Sequence, residues 1–152
     1  MLSNMQRRTL NKREMQRILQ EKVARYLNLQ QTVKAYQLIY EIQRNQLEEL
    51  LITKEALKNM KKHNIRKLDG FTSLGSGVFI HVKGEIGEKI LINVGANIGV
   101  YMPIDEAIQV LETREERLKA SIENTARTLH ELATMMSKLE QEIATLQQYI
   151  SG

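Results

Sequence analysis

Seven of the eight glycines in this 152-residue chain lie between Gly70 and Gly99. Glycine is the residue that most cheaply interrupts a helix, so the long glycine-free segments on either side are free to be helical. Within the island, Val78, Ile80 and Val82 alternate with Phe79, His81 and Lys83, and Ile90, Ile92 and Val94 alternate with Leu91 and Asn93. That period of two belongs to strands. Gly75-Ser76-Gly77 and Gly95-Ala96-Asn97 fall where hairpin turns need positive φ, and residues 84–89 form a polar connection. The pattern predicts two hairpins, with short outer strands at 70–74 and 98–102. Four short strands cannot cover their own faces and edges. The island is therefore expected to be an assembly surface, carried by Phe71, Leu74, Val78, Ile80, Val82, Ile90, Ile92, Val94, Ile98 and Val100.

The flanks carry heptads. In the first, Leu19, Tyr26, Val33, Tyr40 and Leu47 fall seven apart, with Met15, Leu29, Tyr36, Leu50 and Leu57 in the complementary register. Lys22, Gln43 and Lys54 interrupt this seam, which weakens it and helps to fix its register. Val23, Leu27, Ile39, Ile42 and Leu51 lie beside it as further apolar positions. The single proline, Pro103, followed by Asp105 and Glu106, marks the start of a second helix. Its seam runs from Ile108 through Leu111, Leu118, Ile122, Leu129, Leu132, Met136, Leu139, Ile143 and Leu146 to Ile150, and fails only at Glu115 and Thr125. The expected fold is α+β: a long antiparallel two-helix coiled coil joined by two β-hairpins. A single elongated domain follows, with a basic arm or helix overhang at 1–17, helix at 18–64, hairpins at 68–102 and helix at 104–150. At 1.5 Å per residue, the paired helices reach about 65 to 70 Å from the sheet.

Charge is divided unevenly. Residues 1–67 hold 15 Lys and Arg against 6 Glu, and residues 68–152 hold 7 against 12 acids, a split suited to cross-pairing in an antiparallel hairpin. Arg7, Arg8, Lys12, Arg13 and Arg17, interleaved with Met5, Leu10 and Met15, can be read as an arm for nucleic acid or anionic surfaces. The absence of aromatic residues there favours a solvated or fraying helix start instead. With no cysteine, thiol catalysis and Cys-ligated zinc are excluded, and a reducing, cytoplasmic location is expected. No run has the length of a membrane span, and residues 1–30 lack the features of a signal peptide. His63, His81 and His130 show no metal-ligand spacing, and Gly75-Ser76-Gly77 precedes a strand where a phosphate loop needs a helix. Neither a metal, a cofactor nor an enzymatic function is expected.

Leu74-Gly75-Ser76-Gly77-Val78-Phe79-Ile80 is similar to the glycine hairpin and apolar strand of the alpha class of prefoldin. Ile90-Leu91-Ile92-Asn93-Val94-Gly95-Ala96-Asn97 is similar to that family's hydrophobic strand with its Val-Gly turn, and Asp105-Glu106-Ala107-Ile108 to its acidic helix opening. The resemblance spans residues 70 to about 118. It implies an ATP-independent holdase that assembles two alpha-class with four beta-class subunits through the hairpins. It also implies non-native proteins held by free coiled coils and passed to a group II chaperonin. Met15, Ile18, Leu19, Ile143, Leu146, Tyr149 and Ile150, at the coiled-coil end, are then the expected client-binding residues. Two other readings stay open: a prefoldin-like scaffold in another complex, and a ribosome- or RNA-associated coiled coil that uses the basic first helix.

Overall fold

The computed structural model describes residues 3–152. Met1 and Leu2, at the head of the basic arm, and the Leu10 side chain lie outside the described residues. The element order is α1 (Asn4–Lys62), β1 (Lys67–Gly75), β2 (Val78–Glu85), β3 (Lys89–Gly95), β4 (Ile98–Pro103) and α2 (Ile104–Ser151). Two compact units can be distinguished: one takes the chain up to Arg44 together with Ser121–Gly152, the other is Asn45–Ala120.

Capping chemistry sets the ends of α1. Ser3 Oγ accepts from the Gln6 amide while Gln6 Oε1 accepts from the Ser3 amide, the reciprocal bonds of a capping box. Residues 1–17, expected as a basic arm or a helix overhang, are helical from Asn4 onward and continuous with the rest of α1. At the other end Asn64 takes φ 49°. The Ile65 amide donates to Met60 O at 3.0 Å and the Asn64 amide to Lys61 O at 3.3 Å, the paired bonds of a Schellman stop. Pro103 closes β4, and α2 opens with Asp105 and Glu106 in its first turn, against the positive end of the helix dipole.

In Asn45–Ala120, Leu57 of α1 packs with Ala107, Ile108 and Leu111 of α2, and Ile92 of β3 and Met102 of β4 complete the cluster. Leu50, Met60, Ile90, Ile104 and Val110 flank it. Burying side chains of this size stabilises by about 1.5 to 3 kcal/mol each, so this cluster pins one hairpin to the helices. The strands do not form one sheet. β1 pairs only with β2 and β3 only with β4, both antiparallel, which makes two separate two-stranded sheets among the described residues. β1 also begins at Lys67, earlier than the apolar alternation indicates, because Lys67 and Leu68 pair with Glu85 and Gly84.

Both hairpins use the same turn. The loop residues Ser76 and Gly77, and Ala96 and Asn97, all have positive φ, the I′ form that matches strand twist. Each loop follows a register shift at Gly75 or Gly95, with φ of 97° and 117°. No Cβ-bearing residue adopts a φ this far into the positive region without strain, which fixes glycine at both positions. Ser73 Oγ accepts from the Gly75 amide at 3.1 Å and Asn93 Oδ1 from the Gly95 amide at 2.9 Å, so each bulge is tied by the side chain two residues before it.

In the other unit, α1 and α2 lie antiparallel. Lys22 meets Glu142 at 2.6 Å, Tyr26 donates to Glu140 at 2.6 Å, and Gln43 Nε2 donates to Ser121 Oγ at 2.9 Å. Leu139 is the buried apolar residue here. This register sets Leu132 opposite the stretch of α1 around Val33 and Tyr36, about a turn from the Gln37–Tyr40 stretch.

Candidate functional site

The polar interruptions of the seam are partnered. Lys54 of α1 binds Glu115 of α2, one break facing the other, with little of either side chain exposed. Glu115 also receives Lys119 at 2.8 Å. Hydrogen bonds from Lys119 and then Lys54 hold the Glu115 carboxyl down at about 2, and the same contact with Glu115 raises Lys54 above its usual value. Lys22 likewise lowers Glu142, and the bond to Glu140 raises the Tyr26 phenol. Thr125 turns its hydroxyl onto its own helix, donating to Ser121 O at 3.0 Å. Gln43 is the break left incomplete, because its buried Oε1 has no partner among the described residues. Val23, Leu27, Ile39, Ile42 and Leu51, beside the seam, stay exposed on their own chain.

The hairpin residues divide into two groups. Ile92 is 8% exposed and belongs to the intrachain core, which corrects its placement on the assembly surface. The reason is the pleat: Ile90, Ile92 and Met102 share the face of the β3–β4 hairpin that packs on Leu57, Ile108 and Leu111. Ile90 is likewise drawn toward this core. Phe71, Leu74, Val78, Ile80, Val94, Ile98 and Val100 remain exposed on their own chain, with Val82 part-buried.

The structure adds four apolar residues that the alternation did not single out. Leu91 and Tyr101 face each other across β3 and β4 and are 56% and 67% exposed. Leu91 also lies over Gly99, where a Cβ would stand 2.8 Å from its Cδ1. Leu68 and Phe79 are open on the other hairpin. Leu91, Tyr101 and Phe79 were apolar residues on the second face of their strands, in positions readable as the polar side, whereas Leu68 shares the face of Ile80 and Val82 and fell before the strand start that the alternation indicates. Phe71 packs against its cross-strand partner His81 with ring centroids 5.1 Å apart and the planes tilted by 41°, and Asp69 meets both His81 and Lys83. The β1–β2 hairpin thus has an apolar face and a mixed one, neither buried by its own chain.

At the other candidate surface, Met15, Ile18 and Leu19 of α1 and Ile143, Leu146 and Ile150 of α2 are half-buried, and Tyr149 is 69% exposed. Ile18 and Leu146 line one shallow groove with Lys22, Gln141 and Thr145. These are the terminal seam residues, and two helices alone leave them partly open. Among the described residues no group of His, Asp and Glu has the arrangement of a metal site, and no helix is long and apolar enough to cross a membrane.

Comparison with known proteins gives the same picture. A family model described as prefoldin subunit matches residues 29–149. Prefoldin subunit alpha of Archaeoglobus fulgidus is 26% identical over 133 residues, covering 86% of this chain and 94% of the relative. The same subunit of Thermofilum pendens is 30% identical over 112 residues, covering 70% and 87%. The fold is similar to that of a chain of the filamentous PFD from Methanocaldococcus jannaschii, determined by cryo-EM, with a TM-score of 0.62 at 19% identity over 81% of this chain and 98% of that one. With a family match over most of its length, two hairpins between two seamed helices, and relatives that are alpha subunits, the chain belongs to the prefoldin family of chaperone subunits, in the alpha class.

Proposed function

We propose that this chain is the alpha-class subunit of a cytoplasmic, ATP-independent holdase. It assembles through its hairpins, two alpha-class with four beta-class chains, and holds non-native proteins at coiled-coil ends before they pass to a group II chaperonin. The observation that carries the assembly reading is the β1–β2 hairpin. Phe71, Leu74, Val78, Phe79 and Ile80 are all exposed on their own chain, and an apolar two-stranded ribbon of this kind is marginal in water without a partner. Leu91 and Tyr101 extend the same demand to the β3–β4 hairpin.

Client capture rests on Met15, Ile18, Leu19, Ile143, Leu146, Tyr149 and Ile150. A half-open apolar surface with a flexible methionine adapts to many sequences. Little area is available on each chain, so useful affinity comes from several subunits closing on one client. Truncation after Ser137 removes the α2 half of this surface and leaves the hairpins in place. The truncated chain is expected to assemble normally yet no longer suppress aggregation of a denatured test protein. Undiminished suppression would move the holding surface elsewhere, most directly onto the hairpins.

A further inference from the structure

We propose that the start of α1 binds the phosphate backbone of nucleic acid, through Arg7, Arg8, Lys12, Arg13 and Arg17. These five cations have one carboxylate among them, Glu14. All five are exposed, and none takes part in an ion pair among the described residues. On α2 the last acids are Glu140 and Glu142, held by Tyr26 and Lys22, and Ile143–Ser151 carries no charge. Apart from Glu14 within the cluster and Glu21 one turn beyond Arg17, the chain sets no acid beside these cations, and five positive charges exceed what those two can offset.

The cluster sits on a formed helix with a capping box, so its cations are held in a fixed arrangement. Arg7 and Arg8 stand in the opening turns, where the helix dipole already favours negative charge and disfavours cations. An arrangement that stacks positive charge on a positive pole suits an anionic partner. Arg7-Arg8, Lys12-Arg13 and Arg17 recur every five residues, a step that turns about 140° around the helix, so the cations surround the first turns instead of lining one face. Cations on opposite sides of one helix can meet the phosphates of both strands beside a groove that admits it.

Residue choice also sets this cluster apart from the cations that pair the two helices. Every ion pair between the two helices among the described residues uses lysine: Lys22, Lys54, Lys58 and Lys61 each meet an Asp or Glu. Four of the five cations in the unpartnered cluster are arginine, whose planar fork binds phosphate, and equally carboxylate, bidentately, and competition by polyglutamate tells the two apart. No aromatic residue lies among them, so contact is to the backbone without base stacking or sequence readout.

The test is fluorescence anisotropy of the full chain with labelled poly(U) and a short mixed-sequence duplex. With four to five phosphates engaged, affinity for the duplex should fall roughly 100- to 500-fold between about 50 and about 200 mM salt. Converting Arg7, Arg8, Lys12 and Arg13 to Gln should cost more than about 30-fold at the lower salt and flatten the salt slope. Converting Lys34, Lys62, Lys67 and Lys89 to Gln removes the same charge elsewhere and should change little. Circular dichroism checks that both variants keep their helix. Binding of either probe with this salt dependence and this contrast supports the proposal. It is overturned by no binding to either probe at low salt, by equal losses in the two variants, or by polyglutamate competing as well as poly(U).

Discussion

Replacing Ile92 with alanine separates two roles that hairpin residues can play. Ile92 is 8% exposed and packed among Leu57, Met102, Ala107, Ile108 and Leu111. The change removes three carbons, at about 0.8 kcal/mol per buried CH₂, or about 2.4 kcal/mol before any cavity is counted. Residual cavity brings the expected loss to about 2.5 to 3.5 kcal/mol, since the cluster is small and relaxes in part. Amide exchange in the purified chain reads this directly. Because about 1.4 kcal/mol is tenfold, the opening constant of the β3 and β4 amides should rise roughly 60- to 300-fold. The β1 and β2 amides, in a hairpin that shares no residue with the core cluster, should not change. Leu91→Asp is the counterpart: at 56% exposure it should leave exchange in the purified chain nearly unaltered while shifting the assembly to smaller species in light scattering. If Ile92→Ala leaves β3 and β4 protection intact but breaks the assembly, Ile92 is an interface residue and the packing argument fails.

Three further outcomes follow from individual contacts. Glu115 has its pKa depressed from 4.5 to about 2, so the unfolded chain binds the proton more readily. Its contribution is present above about pH 4.5 and is lost as pH falls toward about 2, and acid titration of Glu115→Gln should lack this component of the wild-type decline. Gln43→Leu combined with Ser121→Ala removes both partners of a bond that leaves Gln43 Oε1 buried and unsatisfied; thermal unfolding should show a gain of about 1 to 2 kcal/mol. Gly95→Ala forces a Cβ onto φ 117° and should cost about 1 to 3 kcal/mol, seen as faster exchange across the β3–β4 turn, whereas Ala96→Gly should be tolerated or slightly stabilising.

Periodicity carried most of the local structure. The clustering of seven of the eight glycines within residues 70–99 separated helix from strand, and the seam from Ile108 to Ile150 is the buried to half-buried stripe of α2, because a heptad repeat can be satisfied only by another helix. The turns were equally legible, since Gly75 and Gly95 answer a backbone requirement that no neighbour can alter. Lys22, Gln43, Lys54, Glu115 and Thr125 were visible as breaks. That Lys54 and Glu115 face one another depends on the axial register of two helices distant in sequence, which no local pattern encodes.

The same limit governs the hairpins. Alternation divides a strand into two faces but does not say which face its own chain covers. Ile92 and Leu91 look equally apolar in sequence, and only the docking of β3–β4 on Leu57 and Ile108 buries the first and leaves the second open. Likewise, whether four strands make one sheet or two depends on long-range hydrogen bonding, and here β2 and β3 do not pair. The sequence by itself determined what is enforced within a few residues: helix, strand, turn and seam. The tertiary structure decided which apolar faces the chain itself leaves exposed, because burial belongs to pairs of surfaces and not to a single segment.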